Sequence, residues 1–243
     1  MTNGGSPQGL ARGEGAVDSA TLAGAIYQKM RTDIVGGALV PGYHLRLETL
    51  RQRYGVGISP IREALSRLAA YSFVIAFENR GYRVAELSRK DLKDITEARV
   101  LIECDALRQA IAAGDETWEA DIVAAHYRLA KVDARLKGAS SDLLDDWERA
   151  NRVFHDALVS ACRSEWLQRF RRLLQDQSKR YRRFSLQESA SFRAVAEEHE
   201  ALMQATLSRD TTLALDLIAR HIRATAENVM HKIPAGSDTS DVT

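Results

Sequence analysis

The sequence predicts a mainly α chain, an N-terminal winged helix-turn-helix followed by a C-terminal all-α helical bundle. Three stretches carry that expectation. Gly55-Val56-Gly57-Ile58-Ser59-Pro60 reads as a tight turn between two short helical segments. Residues 73–77 and 82–85 flank Glu78-Asn79-Arg80-Gly81 in the manner of a two-stranded hairpin. From Ser88 onward, apolar residues recur at helical spacing and no strand signal follows Ala85.

The first 18 residues are Gly-containing with few large apolar groups, and are expected to be a disordered tail. Leu22, Ile26, Met30 and Ile34 mark one face of a first helix, which ends near Gly36 and Gly37. Leu47–Tyr54 is a short amphipathic helix closed by Gly55. Ser59 is the expected N-cap of the next helix and Pro60 its first residue, where a missing N–H costs nothing. Ile61, Leu65 and Leu68 form its buried face, with Arg62 and Ser66 on another face and Arg67 beside them.

A helix N-terminus that carries Arg suits the major groove of DNA, where one bidentate Arg–guanine pair discriminates by roughly 1–3 kcal/mol. Arg62 and Arg67 are the expected base readers, and Ser59 beside them is expected among the DNA-binding residues. Arg51, Arg53 and Arg80 are expected on phosphate, with Arg83 as the alternative to Arg80. Gly81 at the wing tip permits close backbone approach.

Charge supports that division. The net charge is only +1 over 243 residues. Residues 21–90, however, hold eleven Lys/Arg against five Asp/Glu, and residues 91–160 hold nine against fifteen. A basic first third joined to an acidic middle fits a nucleic-acid-binding domain followed by a domain with another task. No apolar run is long enough for a membrane span, and the N-terminus has no apolar core of the secretory type. Cys104 and Cys162 lack metal-type spacing and read as small buried groups in a reducing cytoplasm.

In the second domain Ser88-Arg89-Lys90-Asp91 is a capping box that opens a helix to Ala113, with Leu92, Ile95, Val100, Leu101, Leu107 and Ile111 as its apolar positions. Gly114 ends it, and Asp115 caps a helix to about Lys137. Four more helices are expected at 143–161, 165–186, 192–207 and 211–230, with loop residues at 138–141. The domains are therefore drawn at 19–87 and 88–232, with a second disordered tail at 233–243. The Arg-rich run from Arg163 to Arg183 is expected to be a solvated helix face, with a dimer surface or an extended DNA footprint as alternatives.

Asn151 and His155 share one helical face, and His199 and His221 lie mid-helix on two further helices. Inward-pointing His on separate helices is how bundle-core metal sites are built, and neutral imidazole suits zinc or nickel. Spacing alone leaves open a second reading, three separately satisfied histidines. His44, His126 and His231 are expected to be ordinary residues.

The segments Gly36-Gly37-Ala38-Leu39-Val40-Pro41-Gly42, Pro60–Leu68 and Asn79–Val84 resemble the GntR family of bacterial transcription regulators. The order Arg99-x-x-x-Glu103, Phe154-His155, Glu198-His199 and His221 resembles the ligand-binding domain of its FadR subfamily, the FCD type. This resemblance implies a cytoplasmic homodimer that binds a pseudo-palindromic double-stranded operator, and no enzymatic activity. It implies a divalent metal on His155, His199 and His221, with Asn151 at the family's Asp position, and Arg99 as a clamp for a small organic acid. Such a donor set leaves two octahedral positions for carboxylate oxygens.

Gly81–Ala85, Asp115–Asp121 and Arg180-Tyr181-Arg182 are further similar to glutarate-responsive repressors of that subfamily, which implies a short dicarboxylate effector and relief of repression. Where the family carries Ser-Arg-Thr before the Pro, this chain has Gly57-Ile58-Ser59, so one guanine contact is absent. Two other readings are a metal-free pocket for an acyl-thioester or sugar acid and, more remotely, a metal-dependent hydrolase.

Overall fold

A computed structural model describes residues 21–77, 81–135, 141–185 and 192–233. The expected tail at 1–18, the wing tip with Arg80, the loop at 138–140 and the tail beyond Ile233 lie outside the described residues. Contacts divide the chain into two compact units. One holds the residues up to Asp33 with Gly42–Ala85, and the other Ile34–Pro41 with the residues from Glu86 on. The short segment Ile34–Pro41, expected with the head, groups with the second unit.

The first unit contains most of helix α1 (Leu22–Val35), strand β1 (His44–Leu45), α2 (Leu47–Tyr54), α3 (Ile58–Ala70), β2 (Val74–Phe77) and β3 (Gly81–Val84). Ile26, Tyr27 and Met30 of α1, Leu50 of α2, and Ile61, Leu65 and Leu68 of α3 are buried, as the helical spacing requires. Gly55 ends α2 in the left-handed region, φ 66°, where its N–H donates to the Arg51 carbonyl.

Two expectations are corrected here. Ser59 is not the cap of α3: the helix begins at Ile58, its N-cap is the extended Gly57, and no side chain caps it. Pro60 is the third helical residue. First-turn amides have no intrahelical partner, so proline fits anywhere in that turn and does not mark its first position. The wing also has a third strand. β1 pairs antiparallel with β3, His44 opposite Arg83, in a sheet of order β1-β3-β2. Two residues are too few to show alternation in a sequence.

The second unit holds α4 (Arg89–Ala113), α5 (Glu116–Asp133), α6 (Ser141–Leu158), α7 (Glu165–Ser185), α8 (Phe192–Leu207) and α9 (Thr211–Met230). Ser88 caps α4 by accepting from the Asp91 N–H, and Asp115 caps α5 by accepting from that of Trp118. α5 ends at Asp133, a turn before the expected Lys137. Ile233, placed in the tail by the sequence, is buried against a cluster with Leu92, Tyr181 and Val229.

A larger apolar cluster includes Leu107, Trp118, Ile122, Phe154, Leu158, Leu202 and Ile218. Between these clusters α4 buries polar groups. Thr96, Arg99 and Glu103 occupy its inner stripe, and Leu101, expected there, is 73% exposed. A full helical turn of buried charge is expensive unless every charge finds a partner, so the partners of these groups locate the site.

Candidate functional site

Five helices contribute to this polar layer. α4 brings Arg99 and Glu103, α6 brings Glu148, Asn151 and His155, α7 brings Arg171 and Gln175, and α8 and α9 bring His199 and His221. The helical steps 148–151–155 and 171–175–179–182 put each set on one face of its helix.

The three expected histidines meet. Each offers a ring nitrogen, and these atoms lie within 4.8 Å of one another. Ring centroids are 5.3 Å apart for His155–His199, 5.1 Å for His155–His221 and 4.9 Å for His199–His221. Both ring nitrogens of His155 and of His199 are buried without a hydrogen-bond partner among the described residues. The Asn151 Oδ1 is in the same condition. Leaving so many buried polar atoms unmet costs about 1–3 kcal/mol for each group. An ion that accepts lone pairs removes that cost.

Burial, then the neighbouring imidazoles, pushes His155 and His199 well below the ordinary histidine value. Both are therefore neutral, the form that ligates a metal. The His221 Nδ1 lies 2.8 Å from the Glu198 Oε2. When Nδ1 donates to this carboxylate, Nε2 becomes the free acceptor, the arrangement in which a second carboxylate orients a metal ligand. The donor set of three imidazoles and an amide oxygen thus fits a divalent ion such as zinc or nickel.

Next to the histidines lies a cleft of about 320 Å³, partly open to solvent, lined by Arg99, Glu148, Asn151, Arg152, His155, Gln175, Lys179 and Arg182. Arg99 is buried, and its Nε donates to the Glu103 Oε1 at 3.2 Å. The Glu103 Oε2 accepts from the Arg171 Nε at 2.6 Å. Arg171, 1% exposed, also donates to Asp156 at 2.6 Å and to the His155 carbonyl at 2.6 Å. Burial works against the Glu103 charge, but the Arg171 and Arg99 guanidinium groups hold its carboxyl below the usual value. One buried network therefore fixes both the α6 turn of His155 and the clamp candidate Arg99.

This corrects the solvated-face expectation for the run from Arg163 to Arg183. Arg171 and Arg180 are buried, and Arg182 bonds both oxygens of the buried Glu148 at 2.6 and 2.7 Å. Arg163, Arg169 and Arg172 are the exposed arginines of the run. Sequence reasoning also missed Glu148, Arg152, Gln175 and Lys179, although their helical spacing to Asn151, His155 and Arg171 was readable. His126 lies outside the triad, with its ring edge-on to Phe154 at 5.5 Å and its Nε2 3.4 Å from Glu200.

In the first unit α3 presents Ile58, Ser59, Arg62, Glu63 and Ser66 to solvent, and none of its first-turn amides has a side-chain cap. Such a helix end favours an anion. Arg51 is exposed and bonded to Glu48 at 2.9 and 2.5 Å. Arg53 donates to Asp33 at 2.9 Å. Arg67 lies over the Tyr27 ring at 4.4 Å and so is held against α1. In the wing Arg83 bonds His44 at 2.7 Å and lies over Phe77, and Gly81 takes φ 85°, a conformation that favours glycine.

A winged helix in one unit and a histidine-centred helical bundle in the other define a two-domain class of DNA-binding protein. The family comparisons agree. Residues 22–84 match the gntR family of bacterial regulatory proteins and residues 94–224 match the FCD domain, so the chain belongs to the GntR family, with an FCD-type C-terminal domain. It is 41% identical to the HTH-type transcriptional regulator BphR of Paraburkholderia xenovorans over 84% of this chain and 83% of that protein. It is 37% identical to the HTH-type transcriptional repressor GlaR of Escherichia coli over 81% of this chain and 90% of that one. Among solved structures, E. coli McbR/YncC superposes with a TM-score of 0.74 at 18% identity, covering 88% of this chain and 99% of its own, which shows a shared fold. The chain is a DNA-binding transcriptional regulator. No helix among the described residues is long and apolar enough to cross a membrane.

Proposed function

We propose that this regulator is a cytoplasmic homodimeric repressor whose hold on a pseudo-palindromic operator is released by a small carboxylic acid. The acid is bound through a divalent metal ion in the bundle. Two-fold symmetry in the protein matches two half-sites in the DNA. Arg62 reads base edges from the start of α3. Arg51, Arg53, Arg80 and Gly81 hold the backbone, with Ser59 at the uncapped helix end and Arg67 setting the helix against α1. His155, His199, His221 and Asn151 hold the ion, which supplies positive charge and open positions for carboxylate oxygens. Arg99 clamps the acid with the guanidinium nitrogens that Glu103 does not engage. The acid relieves repression only to the extent that it prefers the conformation that binds DNA poorly.

The observation that carries this reading is the buried triad, three ring nitrogens within 4.8 Å with no competing partner for His155 or His199. Likeness to the transcriptional repressor GlaR supports repression, and the segments Gly81–Ala85, Asp115–Asp121 and Arg180-Tyr181-Arg182, similar to glutarate-responsive repressors, support a short dicarboxylate as the ligand. A regulator is favoured over a hydrolase because the carboxylates on either side of His199 are engaged elsewhere, Glu198 by His221 and Glu200 by His126 at 3.4 Å.

The competing reading is a metal-free pocket for an acyl-thioester or sugar acid. It draws on a second cavity lined by Leu92, Tyr181, Ile222 and Val229, which shares Arg99 and Arg182 with the first.

Elemental analysis of untagged protein separates the two. Near-stoichiometric zinc or nickel is expected, and less than ~0.1 equivalent of any transition metal would favour the metal-free pocket. Thermal melting against a panel of small acids follows. A ligand at about 100 times its Kd adds roughly 2.7 kcal/mol, on the order of 5–10 °C for a chain of this size.

A further inference from the structure

The cleft has two chemically different ends. At one end Arg171 of α7 bonds the His155 carbonyl, and at the other Arg182 of α7 bonds Glu148 of α6. The two helices therefore run antiparallel, with the histidines at one end and Glu148, Lys179 and Arg182 at the other. Seven residues separate Glu148 from His155, about 10 Å along a helix, and four separate Gln175 from Lys179, about 6 Å.

The cations of the cleft differ in what already holds them. Arg182 bonds both oxygens of Glu148. Arg152 donates to Asp176 at 2.8 Å. Arg99 engages Glu103. Lys179 has one ion-pair partner among the described residues, Glu148 at 4.0 Å, which is beyond hydrogen-bond reach and already bonded to Arg182. Its side chain is only 26% exposed. Its ammonium carries no hydrogen bond among the described residues, so its three donors are available to an anion in the cleft that it lines. Burial, then the nearby Arg182 and Arg152, draws its pKa down, with Glu148 opposing. A ligand anion at this point favours the charged form and so opposes that downward pull.

We infer that Lys179 binds a second acidic group of the ligand and is the residue that selects a dicarboxylate over a monocarboxylate. This rests on the small-acid reading above. One carboxylate lies at the histidine end with Arg99, and the other meets Lys179 a helical turn or two away. With C–C bonds of about 1.5 Å, that separation suits a diacid of a few carbons. Gln175 lines the same cleft, and its Oε1, without a hydrogen-bond partner among the described residues, is an acceptor for a substituent hydroxyl on the chain.

The test uses the full chain with measured metal content. Titration calorimetry compares the five-carbon dicarboxylate glutarate with the five-carbon monocarboxylate valerate, on wild type, Lys179→Met and Lys179→Arg. Lys179→Met should weaken glutarate by roughly 10- to 100-fold, the range for a hydrogen bond to a charged group, leave valerate within about two-fold, and keep the metal. Lys179→Arg should restore most of the glutarate affinity. Equal losses for both acids, or unchanged glutarate binding in Lys179→Met, would overturn the role of Lys179 while leaving the small-acid reading intact. A metal-loaded wild type that binds neither acid would overturn both.

Discussion

Glu198 and His221, 23 positions apart on the successive helices α8 and α9, are joined by a 2.8 Å contact between the Oε2 of one and the Nδ1 of the other. The carboxylate fixes which face of the imidazole is free. Glu198→Ala should therefore weaken metal binding by roughly 10–100-fold, with Glu198→Gln falling between it and wild type because the amide oxygen still accepts. Competition with a chromophoric chelator measures this directly. Wild-type metal affinity in Glu198→Ala would show that the contact does not orient a ligand.

The buried imidazoles also make acid a destabilising agent for the metal-free protein. His155 and His199 are held well below 6.5 in the fold, by burial first and then by their neighbours. In the unfolded chain they titrate near 6.5. Below that value the unfolded state takes up more protons than the folded one, so stability is fully present above about pH 6.5 and declines as pH falls below it. Melting temperature of chelator-treated protein should drop between about pH 7 and pH 5. Replacing His199 by Leu should flatten the slope. A level profile in the wild type would place these rings in contact with water.

Arg62 and Arg67 lie five residues apart on α3 but are expected to fail differently. Arg62 is exposed, and Arg67 lies over Tyr27. Arg62→Ala should cost roughly 1–3 kcal/mol of binding to a selected operator at fixed salt, with melting and acid binding unchanged. Arg67→Ala should lower stability by about 0.5–2 kcal/mol through loss of the stacked cation. Operator binding by Arg62→Ala equal to wild type would mean that α3 does not read bases through this side chain.

Gly114 is a steric requirement. A Cβ at this position would come within 2.0 Å of the Trp118 ring, which is buried and donates through its Nε1 to the Ala157 carbonyl. The φ of Gly114 is an ordinary −67°, so the constraint is space, not backbone strain. Gly114→Ala should destabilise by at least about 2 kcal/mol. Thermal melting gives the answer, and a loss below about 0.5 kcal/mol would show that Trp118 has room to move.

The helices were legible because most carry both an apolar period and a readable end: Ser88 and Asp115 cap where expected, and Gly55 and Gly114 terminate. The histidine triad was legible because its members recur one to a helix, and resemblance turned that pattern into a site. The charged half of the site was not. Arg171 looks like any arginine on an amphipathic helix, and its burial depends on Glu103, 68 residues away on α4. Leu101 was misplaced for the complementary reason: a period search counts Leu as inward, but the inner stripe at that level is Arg99 and Glu103. Ser59 misled because a good capping residue one position inside a helix is indistinguishable by composition from a cap.

The strand β1 has a mechanical consequence. It makes β3 the middle strand, and Val84 is tied on this side by its N–H to the Tyr43 carbonyl and by its carbonyl to the Gly42 N–H. Arg83 adds its contact with His44. The segment that leads into α2 is thus stitched to the wing, and only Tyr71, Ser72 and Phe73 lie between α3 and β2. The recognition helix and the wing are tied together twice, by the β1 pairing and by the short turn between α3 and β2. On the function proposed above, an effector acts by carrying helix and wing together as one tool, so substitutions that cut the β1 stitching should blunt effector response and operator binding together.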